Sequence, residues 1–424
     1  MAIGTALSHV FPLGSRLNER GHIEIGGCDT VELAREYGTP AYIVAEDDLR
    51  ARARACVQAG ADAGWEDFQV VFASKAFPCT AVLSLFAEEG LWCDVASGGE
   101  LHLALNAGFP AERVLMHGNA KSVAELEAAV DAGLALTVID NFDEIERLAN
   151  ILDSARQAVL LRATPDVRGD THEKVSTGQA DSKFGFSMAD LPAAIERVRA
   201  VEGLSLAGIH AHIGSQLLEL DPFRREVAAL AQIGDFATWD LGGGLGVAYT
   251  QEQRAPEIEE WVGALLSAAR GAGIAPDARL LVEPGRALTA NAGVTLYTVE
   301  SVKRNVSTWV AVDGGMSDNL RPMLYGSVYE AHLADRVSDP ATATRCVLAG
   351  KHCESGDVIV RDALLDDPRP GDTIVTPATG AYGFAMASNY NGVPRPPVVF
   401  CKDGDARVVV RRESVEDLTA RDVR

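Results

Sequence analysis

The sequence predicts an α/β protein: a (β/α)8 TIM barrel with a second, C-terminal domain of β-sandwich or β-barrel type. Three observations predict it. Between Gln69 and Glu283, eight short apolar or β-branched runs recur: QVVFA, LWCDV, RVLMH, LTVID, VLLRA, GIHAHI, TWDL and RLLVE. Each ends just before a polar or glycine-bearing motif, as buried strands do. The intervening stretches, such as KSVAELEAAVDAG and FDEIERLANILDSA, repeat apolar residues every three or four positions and often stop at Gly, which reads as amphipathic helix. Beyond Arg286 the pattern changes to alternating runs (TLYTVESV, TWVAVD, DVIV, DTIVT, PVVF, ARVVVRR) punctuated by Gly, Pro and Asp. Eight strand-helix units in about 250 residues are the size of such a barrel, whose active site lies at the C-terminal strand ends. The expected division is residues 41–286 for the barrel and 1–40 plus 287–424 for the β domain.

Bulk composition narrows the function classes. A chain of 424 residues, 47% hydrophobic and 23% charged, is long enough for two cores and has the make-up of an ordinary globular protein. A formal net charge of −22 opposes binding to nucleic acid and anionic membranes, which relies on Lys and Arg. Seven scattered cysteines without a C-x-x-C pair indicate neither a zinc cage nor a disulfide framework, so a reducing cytoplasm is the expected location. The opening MAIGTALSHVF lacks a signal-peptide pattern, and no run approaches the roughly 20 apolar residues of a membrane span.

Several residues at the expected strand ends carry chemistry. Lys75 in FASKA follows the first strand, where an amine suits a Schiff base with an aldehyde cofactor; its bland reading is a solvated surface lysine. Gly242, Gly243, Gly244 and Gly246 follow the seventh strand, where exposed backbone N–H groups bind phosphate in many barrels. In VEPGR, Glu283 offers a carboxylate for a pyridine nitrogen and Arg286 a bidentate clasp, or the two form a local ion pair. His210 and His212 share a strand face. They suit either an H-x-H metal pair, with Asp94 and His117 as further ligands, or an imidazole packed over a cofactor ring with Ser215 donating to its phosphate. In the β domain, Cys353, Glu354 and Asp357 crowd into GKHCESGD, Arg321 and Tyr325 lie in SDNLRPMLYG, and Tyr382 lies in TGAYGF.

Taken in order, FASKA, DVASGGEL, HIGSQ, DLGGGLG, EPGR, DGGMSDNLRPMLYG, KHCESGD and TGAY resemble the diaminopimelate decarboxylase family, pyridoxal-phosphate enzymes of the alanine-racemase-like fold type. The resemblance spans nearly the whole chain. EPGR and the glycine run are shared with ornithine and arginine decarboxylases, whereas HCESGD together with RPMLYG points to diaminopimelate. It implies decarboxylation of meso-2,6-diaminopimelate at its D-centre to L-lysine and CO2, the last step of lysine biosynthesis, with pyridoxal 5'-phosphate as cofactor and no metal. It implies that Lys75 binds the cofactor covalently and that Asp94, His212, Ser215, Gly242, Gly243, Gly244, Glu283, Gly285, Arg286 and Tyr382 surround it. Arg286, Arg321, Tyr325, Glu354 and Tyr382 then hold substrate, and Lys75, His212 and Cys353 act in catalysis. Family members supply the equivalents of Cys353 and Glu354 from a neighbouring subunit, so a homodimer is expected. The rival readings are a decarboxylase of ornithine, arginine or a carrier-linked amino acid, an alanine-racemase-like enzyme, a non-catalytic cofactor carrier or regulator, and a metal hydrolase.

Overall fold

A computed structural model describes residues 7–152, 155–167, 182–339 and 341–423. Residues 1–6, at the start of the opening segment, and Asp153 and Ser154 of the expected helix FDEIERLANILDSA lie outside them.

The barrel unit runs from Arg50 to Val247 and from Ala255 to Ala287. Its strands are Phe68–Ala73, Trp92–Val95, Val114–Met116, Leu136–Ile139, Gln157–Thr164, Leu204–Ala211, Thr238–Asp240 and Arg279–Val282. Each pairs in parallel with the next, and the eighth returns to the first through Leu280 opposite Phe68 and Val282 opposite Val70, closing the ring. Val71, Leu115, Leu136, Val138, Leu160 and Leu281 form a buried cluster contributed by different strands, so the lumen is a packed core rather than a channel. Helices follow the strands because local signals start them there. Ser97, Ser122 and Asn141 each accept a hydrogen bond from the backbone N–H three residues on, and Ser122 with Glu125 completes a capping box. Because all eight strands are parallel, every strand-end motif emerges at one end of the barrel.

The β unit takes the chain through Leu49, the segment Ala248–Arg254, and the chain from Leu288 onward. Its main sheet runs in the order Val358–Leu365, Thr344–Ala349, Thr308–Val312, Gly293–Arg304, Ala41–Ala45, Val398–Lys402 and Asp405–Val410. Thr373–Thr376 also pairs with Gly293–Arg304. Ile25, Ile43, Val294, Leu296, Val375, Val399 and Cys401 belong to its core. The boundary expected at residues 40/41 is corrected. Ala41–Ala45 lies between Gly293–Arg304 and Val398–Lys402 in this sheet, with all five residues buried. A fully apolar run looks the same in a barrel strand and in a central sheet strand, and only pairing partners distant in sequence distinguish them.

Candidate active site

Within the barrel unit, Lys75 occupies a short 3-10 turn, Ser74–Ala76, immediately after the first strand. Its Nζ donates to Asp94 Oδ2 at 3.3 Å from the end of the second strand; Lys75 is half exposed and Asp94 buried. The eighth strand, which neighbours the first, delivers Glu283 one residue past its end. Around this carboxylate gather His117 Nε2 at 2.6 Å and His210 Nε2 at 3.3 Å, the two imidazoles meeting edge to face at 4.9 Å. Burial alone would raise the Glu283 carboxyl, but the two histidines outweigh it and hold it well below the usual range. Beside it, burial and then the Glu283 charge push Asp240 well above that range, while burial lowers His210 to about 4. At neutral pH His210 is therefore neutral, and Glu283 carries the negative charge.

His212 lies one residue beyond its strand rather than within it. Its Nδ1 accepts the Gly243 N–H at 3.2 Å, which turns the ring relative to the glycine turn. Burial, followed by the positive charges of Lys75 and Arg162, holds it well below its ordinary value, so the imidazole is neutral. Arg286 opens the short helix Arg286–Thr289 and donates to Ser215 Oγ at 2.8 Å. The glycines are required by crowding among strand ends. A Cβ at Gly243 would fall 2.1 Å from the Glu283 carbonyl oxygen, and one at Gly244, whose φ is +109°, 2.4 Å from that of Gly214. Gly242 adopts φ +59° and its N–H donates to Asp240 Oδ1 at 3.0 Å; Gly285 packs against Ala73 and Ala76.

These residues fit a pyridine-ring phosphate ester with an aldehyde. An amine, an ionised carboxylate, a neutral imidazole and an Arg–Ser pair beside a glycine turn match its reactive carbon, ring nitrogen, ring face and phosphate. The metal-hydrolase reading fits less well. His117, His210, Asp240 and Glu283 do bring ligand atoms within 4.8 Å of one another, but all four are buried, whereas a catalytic metal keeps an open coordination position. Asp94, expected as a fourth ligand, pairs with Lys75 instead. Asp240 is a residue that sequence reasoning misses, although its place at the end of TWDL, just before the glycine run, marks it as a strand-end residue.

Within the β unit, Arg321 is buried in a cage of tyrosines. Its guanidinium lies 4.7 Å from the Tyr249 ring and 6.0 Å from the Tyr382 ring, and donates to the Tyr329 hydroxyl. Tyr249 and Tyr329 are not evident from sequence, because neither lies in the Arg321 motif's own turn. Tyr325 ends the short helix Arg321–Tyr325 and is partly exposed. Of the seven cysteines, six are buried and Cys353 alone is exposed, as is Glu354 beside it.

Comparison with known proteins agrees with this chemistry. Residues 47–290 match the family of the pyridoxal-dependent decarboxylase, pyridoxal binding domain. Diaminopimelate decarboxylase of Halalkalibacterium halodurans is 45% identical, with 96% of this chain and 97% of that protein covered. The Mycobacterium tuberculosis enzyme of the same name is also 45% identical, with 98% of each covered. Among solved structures, diaminopimelate decarboxylase from M. jannaschii in complex with L-lysine superposes with a TM-score of 0.90 at 30% identity, covering 96% of this chain and 97% of that one. The chain thus belongs to the pyridoxal-dependent decarboxylases and, within them, to the diaminopimelate decarboxylase family.

Proposed function

We propose that this protein decarboxylates meso-2,6-diaminopimelate at its D-centre, forming L-lysine and CO2 as the last step of lysine biosynthesis. The observation that carries the reading is the pair of neighbouring strand ends bearing Lys75 and Glu283 in one closed barrel, within a chain that matches diaminopimelate decarboxylases along nearly its whole length. Pyridoxal 5'-phosphate, when bound, supplies the electron sink for the pair left behind as CO2 departs. Lys75 holds it covalently, and Asp94 orients the Lys75 amine. Glu283, kept ionised by His117 and His210, holds a proton at the ring nitrogen. His212 packs on the ring face, while Ser215, Arg286, Gly242, Gly243, Gly244, Gly285 and Tyr382 bind the phosphate end. Arg321, Tyr325, Arg286 and Tyr382 read the distal carboxylate of the substrate, and Glu354 its distal ammonium. Cys353 gives a proton to the carbon that has lost CO2.

The active form we propose is a homodimer with shared active sites. In its support, Cys353 and Glu354 are exposed while His352 and Asp357 of the same motif are buried. No helix among the described residues is long and apolar enough to cross a membrane, and the free thiols suit a cytoplasmic location.

The test is an absorbance spectrum of the protein with pyridoxal phosphate, then addition of meso-diaminopimelate and assay for lysine and CO2. A visible band with lysine release is expected. A band with release from ornithine or arginine instead would move the substrate, and no band would overturn the cofactor's place on Lys75.

A further inference from the structure

The motif GKHCESGD contains a second carboxylate, Asp357, to which the reaction assigns nothing. It is buried, and its carboxylate is shared between two segments of the β unit. Oδ1 accepts the Met316 N–H at 2.7 Å. Oδ2 accepts the His352 N–H at 2.9 Å and meets His352 Nδ1 at 2.8 Å. The buried His352 ring stacks on Tyr390 at 5.7 Å, and its Nε2 has no hydrogen-bond partner among the described residues, so Asp357 is its polar anchor. Two glycines make room for this carboxylate. A Cβ at Gly315 or Gly350 would lie 2.6 or 2.1 Å from its oxygens.

The anchored loop is hydrogen-bonded residue by residue. Gly350 N–H donates to the Asp357 carbonyl at 3.0 Å, Lys351 to Gly314 at 2.9 Å and Glu354 to His352 at 2.7 Å. The Cys353 N–H donates to Asn391 Oδ1 at 2.9 Å. The other segment is equally constrained: Gly315 N–H donates to Asp318 Oδ2 at 2.8 Å, and Tyr297 OH donates to Asp318 Oδ1 at 2.6 Å. That segment leads directly into Arg321, and the loop carries Cys353 and Glu354.

We propose that Asp357, through His352, is a positioning residue that locks the Cys353–Glu354 loop onto the Met316–Arg321 segment. It thereby fixes the position at which the loop presents Cys353 and Glu354 to the substrate site of a neighbouring subunit. This rests on the reaction proposed above. The force is local: a carboxylate accepting several N–H bonds in a buried place is a strong acceptor, and truncating it strands those donors.

The experiment compares the cofactor-loaded full chain with Asp357→Asn and His352→Gln. Asn keeps one acceptor oxygen for Met316 but sets an NH2 group against the His352 N–H; the His352 change removes only the ring contact and serves if the first variant does not fold. Hydrogen exchange read by mass spectrometry is expected to accelerate about tenfold or more at 350–354 and to stay unchanged in the barrel strands. KM for meso-diaminopimelate is expected to rise about tenfold, with the absorbance of the Lys75-bound cofactor unaltered. Unchanged exchange in both variants overturns the anchor. Faster exchange with unchanged KM and kcat confines Asp357 to holding the fold and overturns its role in the reaction. A wild-type protein that loads cofactor but releases no lysine overturns the reading of the reaction itself, before any variant is compared.

Discussion

His210 shows how a buried side chain links the site to stability. Its ring is almost wholly enclosed and has a pKa of about 4, against 6.5 in the unfolded chain. The folded value is the lower one, so the unfolded state takes up the proton first as pH falls. The stability contributed by neutral His210 is complete above 6.5 and is lost as pH drops toward 4. The size is on the order of 3 kcal/mol, since each tenfold change in a protonation equilibrium carries about 1.4 kcal/mol. Urea denaturation at pH 7 and pH 4.5 is expected to show a smaller loss for His210→Gln than for wild type, and equal losses would remove His210 as the cause. The Lys75, Glu283 and Arg286 positions were legible from sequence because each lies in a short polar motif that closes an apolar run. The clamp on Glu283 was not. His117, His210 and Asp240 come from three different strands, and only barrel closure brings them to one carboxylate.

At the scale of an element, the glycine turn after the seventh strand and the glycine within the helix Ile258–Gly271 respond oppositely to the same substitution. Gly243→Ala forces a methyl group onto the Glu283 carbonyl, which belongs to backbone that cannot give way. A loss of roughly 2 kcal/mol or more and weaker pyridoxal phosphate binding are expected, following the usual cost of overpacking. At Gly263, inside the helix, an added methyl group would meet nothing within 4 Å, so Gly263→Ala is expected to stabilise by about 0.5–1 kcal/mol. Denaturation midpoints and cofactor titration check both, and stabilisation by the first would show that the turn has slack. The eight barrel strands were readable because each combines an apolar run with a chemically distinct end. Thr344–Ala349 in the β unit is not readable in this way: its polar opening and the single buried pair Cys346 and Leu348 give a weak alternation, and its pairing with strands on either side identifies it as a strand.

For the whole molecule, the shared-site proposal has a direct consequence. Lys75→Ala is expected to lose both the visible band and turnover, and Cys353→Ala to keep the band and lose most activity. If the two residues act from different subunits, mixing and reassociating the two inactive variants restores about a quarter of wild-type activity, because half the dimers are hybrids with one intact site each. Steady-state assay of the mixture decides it, and no recovery would place both residues in one chain's site. The strand Ala41–Ala45 raises a different matter, one of synthesis. It is made early, yet both of its partners, Gly293–Arg304 and Val398–Lys402, come from the last third of the chain. At ribosomal rates of about 5–20 residues per second, this five-residue apolar segment waits on the order of tens of seconds for a neighbour. During translation it is a natural client for holding chaperones, and a ribosome stalled after the barrel leaves it as an adhesive end.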